Sequence, residues 1–148
     1  MKKVPFPQAN NMELMFNILK DIGDDGLSKS DIAKKYSIDE RQGSYYLDAL
    51  LYLDFVQKIN SKYFLSTKGV KVRLSGQDEM INVFIDLILG HKYIGKLYSE
   101  CKSLQSYQQQ QYISSFIFNE IGLGYSTANR RANSIKSWFE WIDNHIRS

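Results

Sequence analysis

The chain has 148 residues, of which 43% are hydrophobic and 14% aromatic, enough to build a folded core in one domain or two small ones. Its formal net charge of +3 is too small to indicate a nucleic-acid partner, so only the positions of the charges can do so. A single cysteine and two histidines exclude an internal disulfide and a spaced set of metal ligands.

Membrane insertion and secretion are also not expected. No apolar run reaches the roughly 18 residues that a bilayer span requires, and residues 1–7 lack the apolar core of a signal peptide. We therefore expect a cytoplasmic, reduced protein that uses no metal or other cofactor and does not associate with a membrane.

Glycine and proline positions indicate a mainly helical protein with short connections. Both prolines precede residue 8, and the nine glycines fall mostly between periodic segments. A break near residues 74–77 divides the chain into a predicted winged-helix domain, residues 1–75, and a second helical, helix-turn-helix-like domain, residues 76–148. The first part holds 12 Lys and Arg against 9 Asp and Glu, and the second 7 against 7, so the basic excess lies in the first.

Three helices and a hairpin are predicted for the first part. Apolar residues recur at helical spacing from Met12 to Ile22, Ser28 can cap a short second helix, and Asp39 can cap a third after the turn at residues 37–39. The buried side of this third helix is predicted to comprise Tyr46, Leu47, Leu50, Leu51 and Leu53. Alternation at residues 56–59, a turn at 60–62 and a returning strand at 63–66 complete a winged helix.

The second part is also predicted to be helical, but without a hairpin. Helices are predicted over residues 80–89, over 93–104 and from Tyr112 to Ile121, while the Gln-rich residues 105–111 form a loop or a helix start. After a turn at residues 122–125, Ser126 is predicted to cap a long helix. Its buried stripe comprises Ala128, Ala132, Ile135, Phe139, Ile142 and Ile146, and its other face begins with Thr127, Arg130, Arg131 and Ser134.

Basic residues are concentrated on the predicted hairpin and the helix after it. Between Val56 and Gln77 there is no acidic residue and there are five basic ones, namely Lys58, Lys62, Lys68, Lys71 and Arg73. Lysines at a hairpin tip and at the next helix start are placed to meet DNA phosphates. The alternative is a solvated charged face, because lysine is common at strand edges.

The start of the third helix carries side chains that can contact base edges, namely Arg41, Gln42, Ser44 and Tyr45. The helix after the turn of a helix-turn-helix enters the major groove, where Arg can pair with guanine and Gln with adenine. Lys29 is a further predicted DNA contact. Asp39, Glu40 and Asp48 add negative charge to this face, which leaves a protein partner as the alternative.

A second polar helix start follows the glycine-rich turn. No acidic residue lies between Ile121 and Trp138, and the predicted DNA-contacting residues are Thr127, Asn129, Arg130, Arg131 and Lys136, with Asn133 on the same stretch. Helix capping and surface solubility explain the same residues, so both interpretations stay open. Trp138, Phe139 and Trp141 are more typical of a core or an interface than of base stacking.

A nuclease site is the least favoured alternative. Asp86, followed by Glu100 and Lys102, superficially matches the spaced carboxylates and lysine of metal-dependent nucleases. Such groups must converge from neighbouring strands, whereas both stretches are predicted to be helical. We expect no catalytic site in this chain.

Residues 41–56, followed by residues 63–69, resemble the winged-helix modules attached to bacterial restriction-modification proteins and to related ATPase-associated DNA-defence proteins. Residues 126–142 look like the helix that closes the same module, with an Arg-rich start leading to a Ser-Trp pair and a final Trp-Ile. The resemblance implies DNA recognition on behalf of a nuclease or methyltransferase absent from the chain. One departure is Asp54, where a glycine is expected before the wing.

The sequence thus predicts a double-stranded DNA-binding protein, either a target-recognition module for a restriction-type nuclease or a transcription regulator. A nuclease or other catalytic subunit is an expected partner, and a homodimer is left open. The alternative is a protein-interaction module built on a winged-helix scaffold. Salt distinguishes them, because affinity that rests on phosphate contacts falls steeply with salt and affinity that rests on an apolar interface does not.

Overall fold

A computed structural model describes residues 6–146, and within them the protein is mainly helical with one two-stranded antiparallel hairpin, as the sequence predicts. The elements are α1 Met12–Asp21, α2 Lys29–Tyr36, α3 Glu40–Tyr52, β1 Val56–Ile59, β2 Lys62–Leu65, α4 Thr67–Leu74, α5 Met80–Leu89, α6 Lys92–Cys101, α7 Ser106–Phe116, a π-helical turn Ile117–Ile121, and α8 Tyr125–Ile146. No helix in this part of the chain is both long and apolar enough to cross a membrane.

The first three helices begin at polar caps. The Asn11 side chain accepts a hydrogen bond from the Leu14 amide at 3.0 Å, and the Asp39 carboxylate accepts one from the Gln42 amide at 2.7 Å. At the start of α2 the Ser28 hydroxyl accepts a hydrogen bond from the Asp31 amide, and the Asp31 carboxylate accepts one from the Ser28 amide, which forms a capping box. The predicted caps Ser28 and Asp39 are thus confirmed, and they fix where α2 and α3 begin.

The hairpin, which we call the wing, pairs Val56 with Leu65 and Ile59 with Lys62. Asn60 takes a left-handed conformation with φ of 58°, which closes the turn in two residues. Lys62 therefore opens β2, and its predicted place in the turn is wrong. Leu27, just before α2, bridges to Tyr63 and anchors the wing beside the helices.

Several helix boundaries in the second half differ from the prediction, and α6 ends at Cys101 instead of Leu104. The Gln-rich segment is the start of α7, where the Gln108 side-chain oxygen accepts the Gln105 amide at 2.9 Å. The predicted cap Ser126 is wrong, because α8 already begins at Tyr125 and the Gly124 carbonyl accepts the Ala128 amide at 2.8 Å.

The buried stripe of α8 is broader than predicted near its start and ends sooner. Ser134, predicted on the outer face, is 8% exposed because the segment before α1 covers it, and its hydroxyl donates to the Gln8 carbonyl at 3.2 Å. Ile146, predicted to be buried, is 57% exposed at the end of the described chain. The remaining predicted stripe residues of α8 are buried.

One hydrophobic core joins the two halves. The ring of Phe84, on α5, lies 5.1 Å from Phe16 on α1 and 5.0 Å from Phe55 before the wing, measured between centroids. Trp138 of α8 is fully buried, and its indole N–H donates to the Ala9 carbonyl at 2.9 Å. Residues 6–9 thus hold α8 against the first half, while the division at residue 75 stays a prediction.

Candidate nucleic-acid interface

The first turns of α3 present exposed polar side chains. Arg41 and Gln42 are exposed, and Tyr45 is partly exposed. The Arg41 Nε donates to the Tyr45 hydroxyl at 2.6 Å, and the guanidinium carbon lies 5.8 Å from the centroid of the Tyr45 ring. This exposed, i,i+4 pair orders the arginine side chain without neutralising its charge.

Two of the three acidic residues near the start of α3 accept hydrogen bonds from other groups of the protein. Asp39 caps α3, and Asp48 accepts the Tyr63 hydroxyl at 2.8 Å and the Ser44 hydroxyl at 3.5 Å. Burial, followed by the hydrogen bond to Asp48, raises the pKa of Tyr63. The predicted contact Ser44 is therefore committed to Asp48, and of the three acids only Glu40 has no internal hydrogen bond or ion pair within residues 6–146.

The wing carries exposed lysines close to the start of α2. Lys58 and Lys62 are exposed, and the Lys58 ammonium lies 5.4 Å from the centroid of the Tyr63 ring. Lys62 Nζ lies 3.5 Å from the Asp25 carbonyl, and its charge contributes to the lowered pKa of Asp31, which is due first to the Ser28 hydrogen bonds. Because Asp31 belongs to the cap of α2, the wing tip lies near exposed Lys29.

Two of the three basic residues after the wing, Lys68 and Arg73, are less available. Lys68 lies 3.8 Å from the Asp54 carboxylate, and Arg73 lies 3.7 Å from Asp24 and donates to the Ile22 carbonyl at 3.4 Å. These exposed pairs are weak. Their positive charge is nevertheless partly offset, whereas Lys58 and Lys62 form no ion pair within residues 6–146.

The start of α8 divides between outward and inward groups. Arg130 is exposed, and its guanidinium donates to the Thr127 hydroxyl at 3.4 Å. The Asn129 carbonyl and side-chain oxygen both accept from the Gln110 amide at 3.0 Å, and Lys136 donates to the Ser106 hydroxyl. Asn129 and Lys136 therefore fasten α8 to α7, and Arg130 is the outward-facing cation.

Arg131 connects the two helix starts. It is partly buried, and its guanidinium donates to the Phe6 carbonyl at 2.9 Å. Burial lowers the pKa of Arg131, the like charge of Arg130 lowers it further, and nearby Tyr45 acts in the opposite direction. Residues 6–8 also line a small cleft together with Tyr45 and Asp48.

Because Phe6 accepts a hydrogen bond from Arg131 and lines a cleft with Tyr45, the starts of α3 and α8 lie near each other. We call this region the arginine face and define it as Arg41, Tyr45, Arg130 and Arg131. The sequence indicated each helix start separately and did not predict that they meet. The bridging residues 6–8 lie far from both in sequence, and the only signal was Phe6 between the two prolines, Pro5 and Pro7.

The residues of the nuclease alternative lie on helices. Asp86 belongs to α5 and Glu100 to α6, while Lys102 directly follows α6 and its ammonium lies 5.1 Å from the centroid of the Tyr98 ring. Among residues 6–146, no group of three His, Cys, Asp or Glu side chains is placed to hold a metal ion.

The tryptophans are packed inward. Trp138 is fully buried, and the Trp141 indole donates to the Glu13 carboxylate of α1 at 2.8 Å. Both side chains therefore stabilise the contact between α8 and the first half of the chain, in agreement with the core interpretation of these aromatics.

Comparison with known proteins gives a family without an assigned role. Residues 15–147 match the model of a family described as "Domain of unknown function (DUF7226)". No curated protein and no solved structure matches the chain. The matched segment includes both arginine-bearing helix starts.

Proposed function

We propose that this chain, which belongs to the DUF7226 family, binds double-stranded DNA and carries no catalytic site of its own. The observation that supports this most is the arginine face, where the starts of α3 and α8 lie near each other and carry the exposed Arg41 and Arg130. In this proposal α3 enters the major groove, where Arg41 and Gln42 meet base edges, and Arg130 meets a phosphate.

The wing extends the proposed contact along the DNA backbone. Lys58 and Lys62 on the wing and Lys29 on α2 are exposed and have no carboxylate partner within residues 6–146. Phosphate contacts fix the register of a protein on DNA and provide most of its salt-dependent affinity. We infer that these three lysines hold α3 in the groove.

Proposed roles follow from this binding activity. The module recognises a target sequence for a restriction-type nuclease or methyltransferase, or it acts as a transcription regulator, with a catalytic subunit or a second copy of the chain as further partner. The winged-helix interpretation of residues 6–75 is supported by the order α1, Leu27 bridge, α2, α3 and wing.

Selection from a randomised duplex pool tests this proposal. We expect binding with a steep dependence on salt, at near-micromolar affinity or tighter for enriched sequences at physiological salt, because several phosphates are neutralised. Enriched sequences then report the bases that α3 contacts. If no duplex binds even at low salt, the proposal is wrong.

A protein-interaction module is the second candidate. The specific observation in its favour is an exposed aromatic pair, Phe118 at 47% and Tyr125 at 74% exposure, with ring centroids 6.4 Å apart. Tyrosine and phenylalanine are enriched at interfaces. Failure of all duplexes to bind would favour this candidate and direct a partner search to Phe118 and Tyr125.

A further inference from the structure

A cleft of about 360 Å³ lies between α6 and the segment formed by α7 and the π-helical turn. Its size is at the lower end of the range for small-molecule sites, which suits a ligand no larger than one nucleotide. The cleft combines aromatic rings, two lysines and hydrogen-bonding groups, and the proposed DNA contact uses none of them.

The aromatic side of the cleft is partly open to solvent. Tyr93 is 37% and Tyr112 38% exposed, and the Tyr93 and Phe116 rings lie 5.7 Å apart between centroids. Exposed faces of tyrosine rings are platforms on which nucleobases stack with little dependence on sequence. The cleft therefore offers a surface for a flat ring.

The cationic side is provided by Lys92 and Lys96. They are four residues apart on α6 and so share one helix face, and both are exposed. Within residues 6–146 neither forms an ion pair or a hydrogen bond, and the Lys92 ammonium lies 5.4 Å from the centroid of the Tyr93 ring. Two adjacent, unpaired ammonium groups favour an anion such as a phosphate.

The π-helical turn supplies groups that can recognise a base edge. The Gly122 amide donates to the carbonyl of Ile117, five residues earlier, at 2.9 Å, which is the hydrogen bond of a π-helix. Such turns are frequent at functional sites. Asn119 and Glu120 of this turn line the cleft. A carboxylate accepts from the amino group of cytosine, and an asparagine amide can both donate and accept.

We propose that this cleft binds one nucleoside monophosphate unit, with the phosphate on Lys92 and Lys96, the base against Tyr93 and Tyr112, and an amino group on Glu120. No residue of the arginine face lines this cleft. The His91 ring lies 4.8 Å from the Tyr52 ring at the end of α3 and 6.2 Å from the Tyr93 ring of the cleft, measured between centroids. The cleft is therefore near the end of α3, whereas Arg41 lies at its start. At 1.5 Å per residue, α3 separates the two ends by about 16 Å.

Titration calorimetry of the whole chain with cytidine monophosphate, cytidine and uridine monophosphate tests this site. We expect cytidine to bind about tenfold more weakly than its monophosphate, because the charge-assisted phosphate contacts are missing. Uridine monophosphate should bind several-fold more weakly, because it lacks the amino group for Glu120.

Variants separate the two contacts. Replacing both lysines, Lys92→Ala with Lys96→Ala, should weaken cytidine monophosphate binding about tenfold and leave cytidine unchanged. Glu120→Gln should remove the preference for cytidine over uridine monophosphate. Lys102→Ala, just beyond α6 and outside the cleft, is the matched control and should bind like the original chain.

The source of the nucleotide is resolved by a second ligand, a short single-stranded oligodeoxycytidine. Lysine-dependent binding of either ligand supports the site, and binding of the oligonucleotide alone shows that the unit comes from a strand. The proposal is overturned if neither binds at millimolar concentration, or if the double lysine variant binds both unchanged. Duplex DNA binding should be unaltered in that variant, so the two proposals fail independently.

Discussion

Gly43 lies where the backbones of α2 and α3 approach each other closely. A Cβ at this position would lie 2.8 Å from the Lys29 carbonyl oxygen and 3.7 Å from the Ala33 amide. Both atoms are backbone, so no side chain can rotate away to make room. The close crossing of the two helices, and with it the placement of Lys29 beside the start of α3, depends on this missing side chain.

Gly43→Ala should therefore destabilise the protein by about 1–3 kcal/mol, because overpacking outweighs the roughly 1 kcal/mol that alanine gains by helix propensity. Gly23→Ala is the matched control, since its Cβ would meet nothing within 4 Å and its φ is not positive. The control should be neutral or slightly stabilising. Equal free energies of unfolding in urea for the two variants would contradict this account of the crossing.

Asp54 illustrates how far single residues can be interpreted from sequence. A glycine was expected there, and the structure gives the physical reason, because Asp54 has a left-handed φ of 67° before the wing. Aspartate tolerates this conformation better than most residues. The conformational requirement of the position was predictable, whereas the pairing of Asp54 with Lys68 was not, because it depends on tertiary placement.

At the scale of elements, α6 begins at an unusual cap. The His91 Nδ1 accepts hydrogen bonds from the Tyr93 and Ile94 amides at 3.3 and 3.4 Å, so the ring must be neutral to fill this role. Burial lowers the pKa of His91, Asp54 raises it and Lys68 lowers it, and a backbone hydrogen bond at Tyr52 raises it. Burial is the largest of these effects.

Because the folded-state pKa of His91 is depressed, its contribution to stability is complete above the unfolded value near 6.5 and is lost as the pH falls through the folded value. His91→Asn keeps a capping side chain and should match the original chain within about 1 kcal/mol at neutral pH. Between pH 7 and 5 the variant should lose less stability. If urea titrations show that the variant and the original chain lose the same free energy of unfolding between pH 7 and 5, His91 is excluded as the cause of the pH dependence.

Most elements follow from local signals, and the exceptions have identifiable causes. The caps Ser28 and Asp39, the wing and the helix starting at Thr67 are encoded within a few residues. The start of α8 was misplaced because Gly124 and Ser126 offer competing boundaries. Burial of Ser134 could not be predicted, since the segment that covers it lies more than a hundred residues away.

At the scale of the whole molecule, the core couples the two halves. Phe84 contacts Phe16 and Phe55, and Trp138 is held by Ala9. The hydrophobic periodicity of each half predicted its helices but not their shared core. Periodicity indicates which face of a helix is buried, but it does not indicate which other element that face packs against. The arginine face arises from this same coupling.

This coupling predicts a single cooperative unfolding transition. Leu47→Ala, at a fully buried position of α3, should lower the free energy of unfolding by about 2–5 kcal/mol. The loss should appear equally in far-ultraviolet dichroism and in the fluorescence of Trp138 and Trp141 on α8. An unshifted tryptophan transition would instead favour independent domains divided near residue 75, and exposed Lys34→Ala provides the control.

The measurement that tests the central proposal most directly is the salt dependence of duplex binding for Arg41→Ala, Arg130→Ala and the double variant. If both helix starts contact one duplex, each replacement should weaken binding. Arg130→Ala should also reduce the slope of log affinity against log salt concentration by about one, because it removes a proposed phosphate contact. Lys102→Ala should leave the affinity and the slope unchanged. Unchanged binding in the double variant, or binding that does not respond to salt, would contradict the account.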